Sequence, residues 1–189
     1  MKKFQIAALA AALTTATAVG VATAPGMASA TTRAAAQPAR TDNALRSGGV
    51  AANEREVRAF LQDVINEHHG DQAGRFLTRD MQWHGGTVGT VSGREDVAGL
   101  FAGVVASLPN AHVSIKDIFG QDDQVVVRVV VRGTQTGALL GIPATGRDIH
   151  WDGVDIYRLR GGKISAIWAG DDWSAILYYT GTYKAPWIP

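Results

Sequence analysis

Two segments of the chain carry apolar residues at helical spacing, and each follows a capping-box pattern. The boxes are residues 53–56, Asn-Glu-Arg-Glu, and residues 92–95, Ser-Gly-Arg-Glu. The apolar positions behind them are Val57, Phe60, Leu61, Val64 and Ile65 in the first segment, and Val97, Leu100, Phe101, Val104, Val105 and Leu108 in the second. Gly70 is expected to end the first segment, and Pro109 the second. The pattern therefore predicts two amphipathic helices.

After Pro109 the apolar spacing changes to the alternation that is typical of strands. We predict four strands, at residues 112–119, 124–133, 148–159 and 163–173, and expect the first two to form a hairpin. A short helix at 71–77 and a short strand at 81–84 are expected between the two helices. Helices followed by strands indicate an α+β fold, with the helices on one side of an antiparallel sheet.

One carboxylate interrupts the apolar face of the third predicted strand. Alternate positions from Ile149 to Leu159 include Trp151 and Tyr157, and Asp155 lies between these two aromatic residues on the same face. Burial of an unpaired carboxylate is costly, so the group either finds partners or has a raised pKa. A carboxylate of this kind is a general-base candidate, and the alternative is a buried structural aspartate.

The fourth predicted strand offers a second inward face. Its alternation places Trp168 and Asp172 on the same side of the sheet. Asp171 takes the place of Asp172 if the strand ends early. We therefore expect Trp168 to line a pocket or seal the core, and one of the two neighbouring aspartates to be a second inward carboxylate.

The N-terminal residues have the pattern of a secretory signal peptide. Lys2 and Lys3 precede an apolar stretch at 6–21, and Ala28-Ser29-Ala30 fits a cleavage site after Ala30. We expect a secreted protein with signal peptide 1–30, a disordered leader at 31–52 and a single domain at 53–189. Such a protein is not held in a membrane after cleavage.

Charge and composition narrow the possible partners and cofactors. Removal of residues 1–30 changes the net charge from +1 to −1, and no cluster of lysine or arginine indicates nucleic acid as a partner. The sequence contains no cysteine, which excludes disulfides and thiol catalysis. No two histidines have the spacing of metal ligands on a helix, so we expect no metal site.

Several motifs in order resemble a known family. Residues 133–147 contain Gly-Thr-Gln-Thr-Gly and Gly-Ile-Pro-Ala-Thr-Gly-Arg, and Asp155, Gly162-Lys163-Ile164 and Trp168 follow. This pattern resembles the SnoaL-like polyketide cyclases, or ester cyclases, of the nuclear-transport-factor-2-like superfamily, over residues 53–177. The resemblance implies a conical, barrel-like fold in which a curved antiparallel sheet wraps around the N-terminal helices and encloses a pocket.

The resemblance also implies a reaction and site residues. Cyclases of this type use an aspartate as acid and base in an intramolecular aldol condensation, without metal or cofactor, and Asp155 occupies the matching position. His84 is expected to donate a hydrogen bond to a substrate oxygen, or else to be bonded to backbone. Gln135 stands where relatives usually carry histidine, and Ala166 where they often carry glutamate, so the chemistry of the pocket differs from theirs.

We therefore expect an exported cyclase or isomerase without a cofactor, in which Asp155 and His84 are catalytic. Its pocket is expected to bind a small apolar or polyketide-like compound through the remaining candidates, Gln135, Trp151, Tyr157, Trp168 and Asp172. One alternative is a secreted binding protein with the same pocket. Another is an epoxide hydrolase, which needs an inward arginine beside Asp155 and Asp172. A homodimer through the outer sheet face is expected, and the aromatic tail from Trp173 onward covers the pocket mouth or that interface.

Overall fold

Three α-helices and six strands make up the part of the chain that the computed structural model describes, residues 39–189. In chain order they are α1 Ala39–Phe60, β1 Leu77–His84, β2 Thr90–Ser92, α2 Arg94–Ser107, β3 His112–Gln121, β4 Gln124–Thr134, β5 Asp148–Arg160, β6 Lys163–Trp168 and α3 Trp173–Tyr179. A π-helical turn, Leu61–Asn66, extends α1, and a 3-10 helix, Gly70–Phe76, leads into β1. None of the helices in this part is long and apolar enough to cross a membrane. The predicted signal peptide lies outside the described residues.

Both predicted helices exist, but neither begins with its expected capping box. The first starts at Ala39, so residues 39–52 of the expected disordered leader are helical. Asn53 lies inside this helix, and its side-chain amide donates to the Asp122 backbone oxygen at 3.2 Å. The second helix has Gly93 at its N-cap without a side-chain cap. Asn53 therefore ties α1 to the turn between β3 and β4 instead of starting the helix.

The six strands form one open sheet in the order β2-β1-β6-β5-β4-β3. The four strands predicted after Pro109 are present, and the fourth ends at Trp168 instead of residue 173. The expected sheet was wholly antiparallel, which is wrong at one place, because β1 pairs with β6 in parallel. Register shifts interrupt three of the strand pairs. Bulges of this kind bend strands, which fits the curved sheet of the predicted α+β fold.

The concave side of the sheet packs against the helical segments. Phe60 of α1 makes edge-to-face contacts with Phe76, Phe101 and Tyr157, which join the helices to β5. Every odd position of β5 from 149 to 159 is buried, as the alternation predicted. Full burial of a large apolar side chain contributes about 1.5–3 kcal/mol, so these contacts fix which face of β5 points inward. Asp155 lies on the same face of β5 and therefore points inward as well.

Candidate functional site

A cavity lies between the concave face of the sheet and the helices. The space between the atoms of its walls, with the open mouth included, is about 830 Å³. Its lining is mostly aliphatic and aromatic. Asp155 and Asp171 are its two carboxylates, and no lysine, arginine or histidine of the described chain lines it. The cavity is therefore apolar, with two acidic groups and no basic side chain.

Asp155 is held deep in this cavity by two donors. Its Oδ1 accepts from the Gly170 backbone N–H at 3.1 Å, and its Oδ2 accepts from the Tyr157 hydroxyl at 3.4 Å. The residue is 9% exposed, which confirms the inward orientation predicted from the strand pattern. Burial, and then the charge of Asp171, raise the pKa of Asp155 to about 8, while the two hydrogen bonds act in the opposite direction.

Asp171 is the second carboxylate. Its Oδ1 accepts from the Trp151 indole N–H at 2.7 Å, and no donor within the described residues reaches its Oδ2. Burial raises the pKa of Asp171 to about 6, against the effect of the Trp151 bond. Two neighbouring carboxylates disfavour each other's ionisation, so the charge of Asp171 adds to the effect of burial in keeping the pKa of Asp155 above its ordinary value.

A bulge in β6 decides which residues of this strand face the cavity. Leu159 pairs with Ile164 and Arg158 pairs with Ala166, so Ser165 is an extra residue that shifts the alternation by one position. Ile167, Ala169 and Asp171 consequently line the cavity. The prediction that Trp168 and Asp172 face inward was wrong for this reason, and the alternative that named Asp171 agrees with the structure.

Trp168 and Asp172 have structural contacts elsewhere. The Trp168 ring lies on the outer sheet face, with the Arg158 guanidinium 5.1 Å from its centroid. Asp172 caps α3, because its Oδ1 accepts from the backbone N–H groups of Ser174 and Ala175 at 3.0 and 3.1 Å. The hydrogen bond from the Ser174 hydroxyl lowers the pKa of Asp172 most, and these backbone bonds add to it. Neither residue lines the cavity.

His84 also lies outside the cavity. The parallel pairing of β1 with β6 places it opposite Trp168, and the two rings stack with centroids 5.3 Å apart. Its Nδ1 is 3.2 Å from the Thr90 hydroxyl. The expected position of His84 as a donor beside Asp155 was therefore wrong, because this strand end turns the ring to the outer face.

Gln135 is fully buried, but it holds a loop and does not line the cavity. Its Nε2 donates to the carbonyls of Gly137 and Pro143 at 3.1 and 3.0 Å, with a longer contact to that of Ile142. Its Oε1 accepts from the Thr145 hydroxyl at 2.6 Å. Both the N–H groups and the oxygen of the amide thus form hydrogen bonds that close the connection between β4 and β5.

The aromatic side chains of the lining were only partly predicted. Trp151 and Tyr157 line the cavity, as their face of β5 indicated. Trp83, Phe101 and Trp173 line it as well, and the Trp83 and Trp173 rings meet edge to face at 6.4 Å. Trp83 belongs to β1 and Trp173 starts α3, so only the tertiary fold brings these two together. The start of the aromatic tail thus contributes to the cavity wall.

The described residues contain one other cluster with metal-ligand atoms. Ligand atoms of Asp63, Glu67 and His69 all lie within 4.8 Å of one another, at the surface and away from the cavity. Arg75 Nη2 is 2.8 Å from Asp63 Oδ2, so this cluster already has a cation. Asp155 and Asp171 offer only two carboxylates in apolar surroundings, which is a poor set for a hard cation.

Comparison with known proteins identifies the family and the fold. Residues 55–178 match the family model of SnoaL-like polyketide cyclases. Among solved structures, AclR of Streptomyces galilaeus is 21% identical, with 71% of this chain and 99% of AclR covered and a TM-score of 0.63. A Catenulispora acidiphila protein with a ketosteroid isomerase-like fold is 24% identical, with 71% and 97% covered and a TM-score of 0.58. An epoxide hydrolase of M. tuberculosis, of the LEH-like type, is 14% identical, with 70% and 91% covered and a TM-score of 0.58. No curated protein matches the chain.

Proposed function

Because the chain belongs to the SnoaL-like polyketide cyclase family, we propose that its cavity catalyses acid–base chemistry without a cofactor on a small apolar carbonyl compound, with Asp155 as the base. The observation that carries the proposal is the pair of carboxylates, buried Asp155 and half-buried Asp171, in a lining that is otherwise almost wholly apolar. Displaced pKa values in a pocket are characteristic of catalytic acids and bases. Here two carboxyl groups with raised pKa values lie in one cavity.

The proposed reaction needs only one proton transfer from the substrate to Asp155 and its return to the product. Asp155 removes a proton from the carbon next to a carbonyl, and the electron pair of that C–H bond forms an enolate. The enolate carbon then attacks a second carbonyl carbon of the same molecule, and the new alkoxide takes the proton back from Asp155. No atom or electron is gained or lost, so no other reactant is required.

Two further properties belong to the same proposal. We propose that the protein is exported, since residues 1–30 have the signal-peptide pattern described above. We also propose a homodimer through the outer face of the sheet, where Phe119 of β3 and Val154 of β5 are 60% and 50% exposed. Light scattering of the mature protein, and of a variant with aspartate in place of Val154, tests the dimer. A monomer in the parent protein would exclude it.

A secreted binding protein is the second candidate. It is favoured by one observation, that both oxygens of Asp155 already accept hydrogen bonds from Gly170 and Tyr157. A carboxylate held in this way can serve a purely structural role. The epoxide hydrolase alternative is weaker, because no arginine of the described chain lines the cavity to polarise an epoxide.

Proton exchange at carbon separates the catalytic role from the binding role. The parent protein and Asp155→Asn are incubated in D₂O with β-keto esters of increasing size, and loss of the α-proton signal is followed by NMR above the spontaneous rate. The expected loss of exchange in Asp155→Asn is about 100-fold or more, as for removal of a general base. Asp152→Asn, an exposed change on the opposite face of the same strand, serves as control. Equal exchange in parent protein and Asp155→Asn would exclude the general-base role.

A further inference from the structure

We infer that the ligand of this cavity is a cation, an apolar compound that carries a tertiary or quaternary ammonium group. This inference rests on the proposed function only in that it names the substrate class of the same cavity. The binding of an unreactive ammonium ion tests it without any turnover.

The charges of the lining favour a cation over an anion or a neutral ligand. Asp155 and Asp171 are its charged side chains, and the other titratable group that faces them is the Tyr157 hydroxyl. Asp171 Oδ2 has no donor among the described residues, whereas both oxygens of Asp155 do. Asp171 is only half-buried, so a positively charged ligand group would displace water from this oxygen and pair with it. A carboxylate or phosphate ligand would add a further negative charge beside these two carboxyl groups.

The aromatic lining indicates what kind of cation fits. Five aromatic side chains line the cavity: Trp83, Phe101, Trp151, Tyr157 and Trp173. Alkylated ammonium groups bind to aromatic faces, most strongly to tryptophan, and lose little hydration on burial. The hydrogen bond from Trp151 to Asp171 keeps one indole beside the free carboxylate oxygen. A hydrated metal ion would need more oxygen ligands than two aspartates provide.

A bound cation would also change the state of the proposed base. At present the negative charge of Asp171 helps to raise the pKa of Asp155. An ammonium group beside Asp171 would offset that charge and lower the pKa of both carboxyls. Asp155 would then give up its proton more readily when the substrate binds. Cation recognition and base activation are thus two consequences of the same contact.

A pair of isosteric probes tests the inference on the parent protein. Choline and 3,3-dimethylbutan-1-ol have the same shape, and differ by a quaternary nitrogen in place of a quaternary carbon. Titration is followed by the fluorescence of the cavity tryptophans, or by NMR shifts of their indole N–H groups. We expect choline to bind at least about tenfold more tightly. Equal affinity, or tighter binding of the alcohol, would overturn the inference.

Variants and pH supply independent measurements. Asp171→Asn should remove the preference for choline, whereas Asp152→Asn should keep it. In the parent protein the affinity for choline should fall as the pH is lowered through about 6, where Asp171 gains its proton, because the charge of choline does not titrate. A preference that persists in a folded Asp171→Asn protein would contradict the assignment. The proton-exchange experiment with Asp155→Asn is a separate measurement, so either proposal can be contradicted while the other stands.

Discussion

The carboxylate of Asp171 lies where a side chain at Gly153 would be. A Cβ built on Gly153 would come within 2.8 Å of Asp171 Oδ1 and 3.2 Å of Val129 Cγ2, and a β-bridge joins Gly153 to Asp171. Glycine inside a strand weakens the sheet, so its presence is explained by this close approach. The missing side chain in β5 makes the space in which a second carboxylate can lie on the cavity side.

Gly153→Ala should therefore push the Asp171 carboxylate away from its place. We expect a loss of about 1–3 kcal/mol in the free energy of unfolding from overpacking, together with weaker choline binding. Gly99→Ala is the matched control, because no atom lies within 4 Å of its added Cβ and it is inside α2. That change should stabilise the protein by about 0.5–1 kcal/mol. Urea unfolding of both variants checks the prediction, which fails if Gly153→Ala is as stable as the parent.

The sequence predicts the part of the site that one strand carries. Strict alternation along β5 was enough to place Asp155, Trp151 and Tyr157 on the inner face. The failure at Trp168 has a physical cause, because the bulge at Ser165 depends on pairing between strands and leaves no local pattern in β6. Gly153 on the inner face was a further signal for a neighbouring group such as Asp171.

The remaining errors also concern contacts between distant segments. The position of His84 follows from the parallel pairing of β1 with β6, which joins residues about eighty positions apart in the chain. Capping boxes are local patterns, yet Asn53 is used for a contact with the β3–β4 turn. Periodicity predicted the types of most elements but missed the helical residues 39–52 and α3, whereas register and ring orientation were determined by tertiary packing.

Asp155→Asn should change how stability depends on pH. The pKa of Asp155 is about 8 in the folded protein against an ordinary value of 3.8, so between those pH values the folded state holds a proton that the unfolded chain has released. The free energy of unfolding of the parent should accordingly fall as the pH rises through this window. Asparagine does not titrate, so the variant should be more stable than the parent at pH 8 by at least about 1 kcal/mol. Urea unfolding at pH 5, 6.5 and 8 measures this, with exposed Asp152→Asn as the control that keeps the parent slope. If the free energies of unfolding of the parent and of Asp155→Asn changed with pH in the same way, the raised pKa of Asp155 would be contradicted.

Trp151→Phe should raise the pKa of Asp171 further. The substitution keeps an aromatic ring in the cavity but removes the N–H that donates to Asp171 Oδ1, and this hydrogen bond is the interaction that lowers the pKa of Asp171. Carboxyl ¹³C shifts of labelled aspartate, recorded against pH, report the change. Trp168→Phe is the matched control on the outer sheet face and should leave the Asp171 titration unchanged. An unaltered Asp171 titration in Trp151→Phe would show that the bond is not formed in solution.

Gln135→Leu should loosen the wall of the cavity without touching its carboxylates. The amide of Gln135 donates to the carbonyls of Gly137 and Pro143 and accepts from the hydroxyl of Thr145. Leucine can make none of these hydrogen bonds. These partners are partly open to water, so losing the hydrogen bonds should cost less than for buried groups, and we expect about 1–2 kcal/mol of lost stability in total. Hydrogen exchange should also become faster at Leu139, a lining residue whose N–H bonds to the Ile142 carbonyl within this loop. Exposed Gln82→Leu is the control and should change stability by less than about 0.5 kcal/mol. If Gln135→Leu instead matches this control in both measurements, the buried amide does not hold the loop.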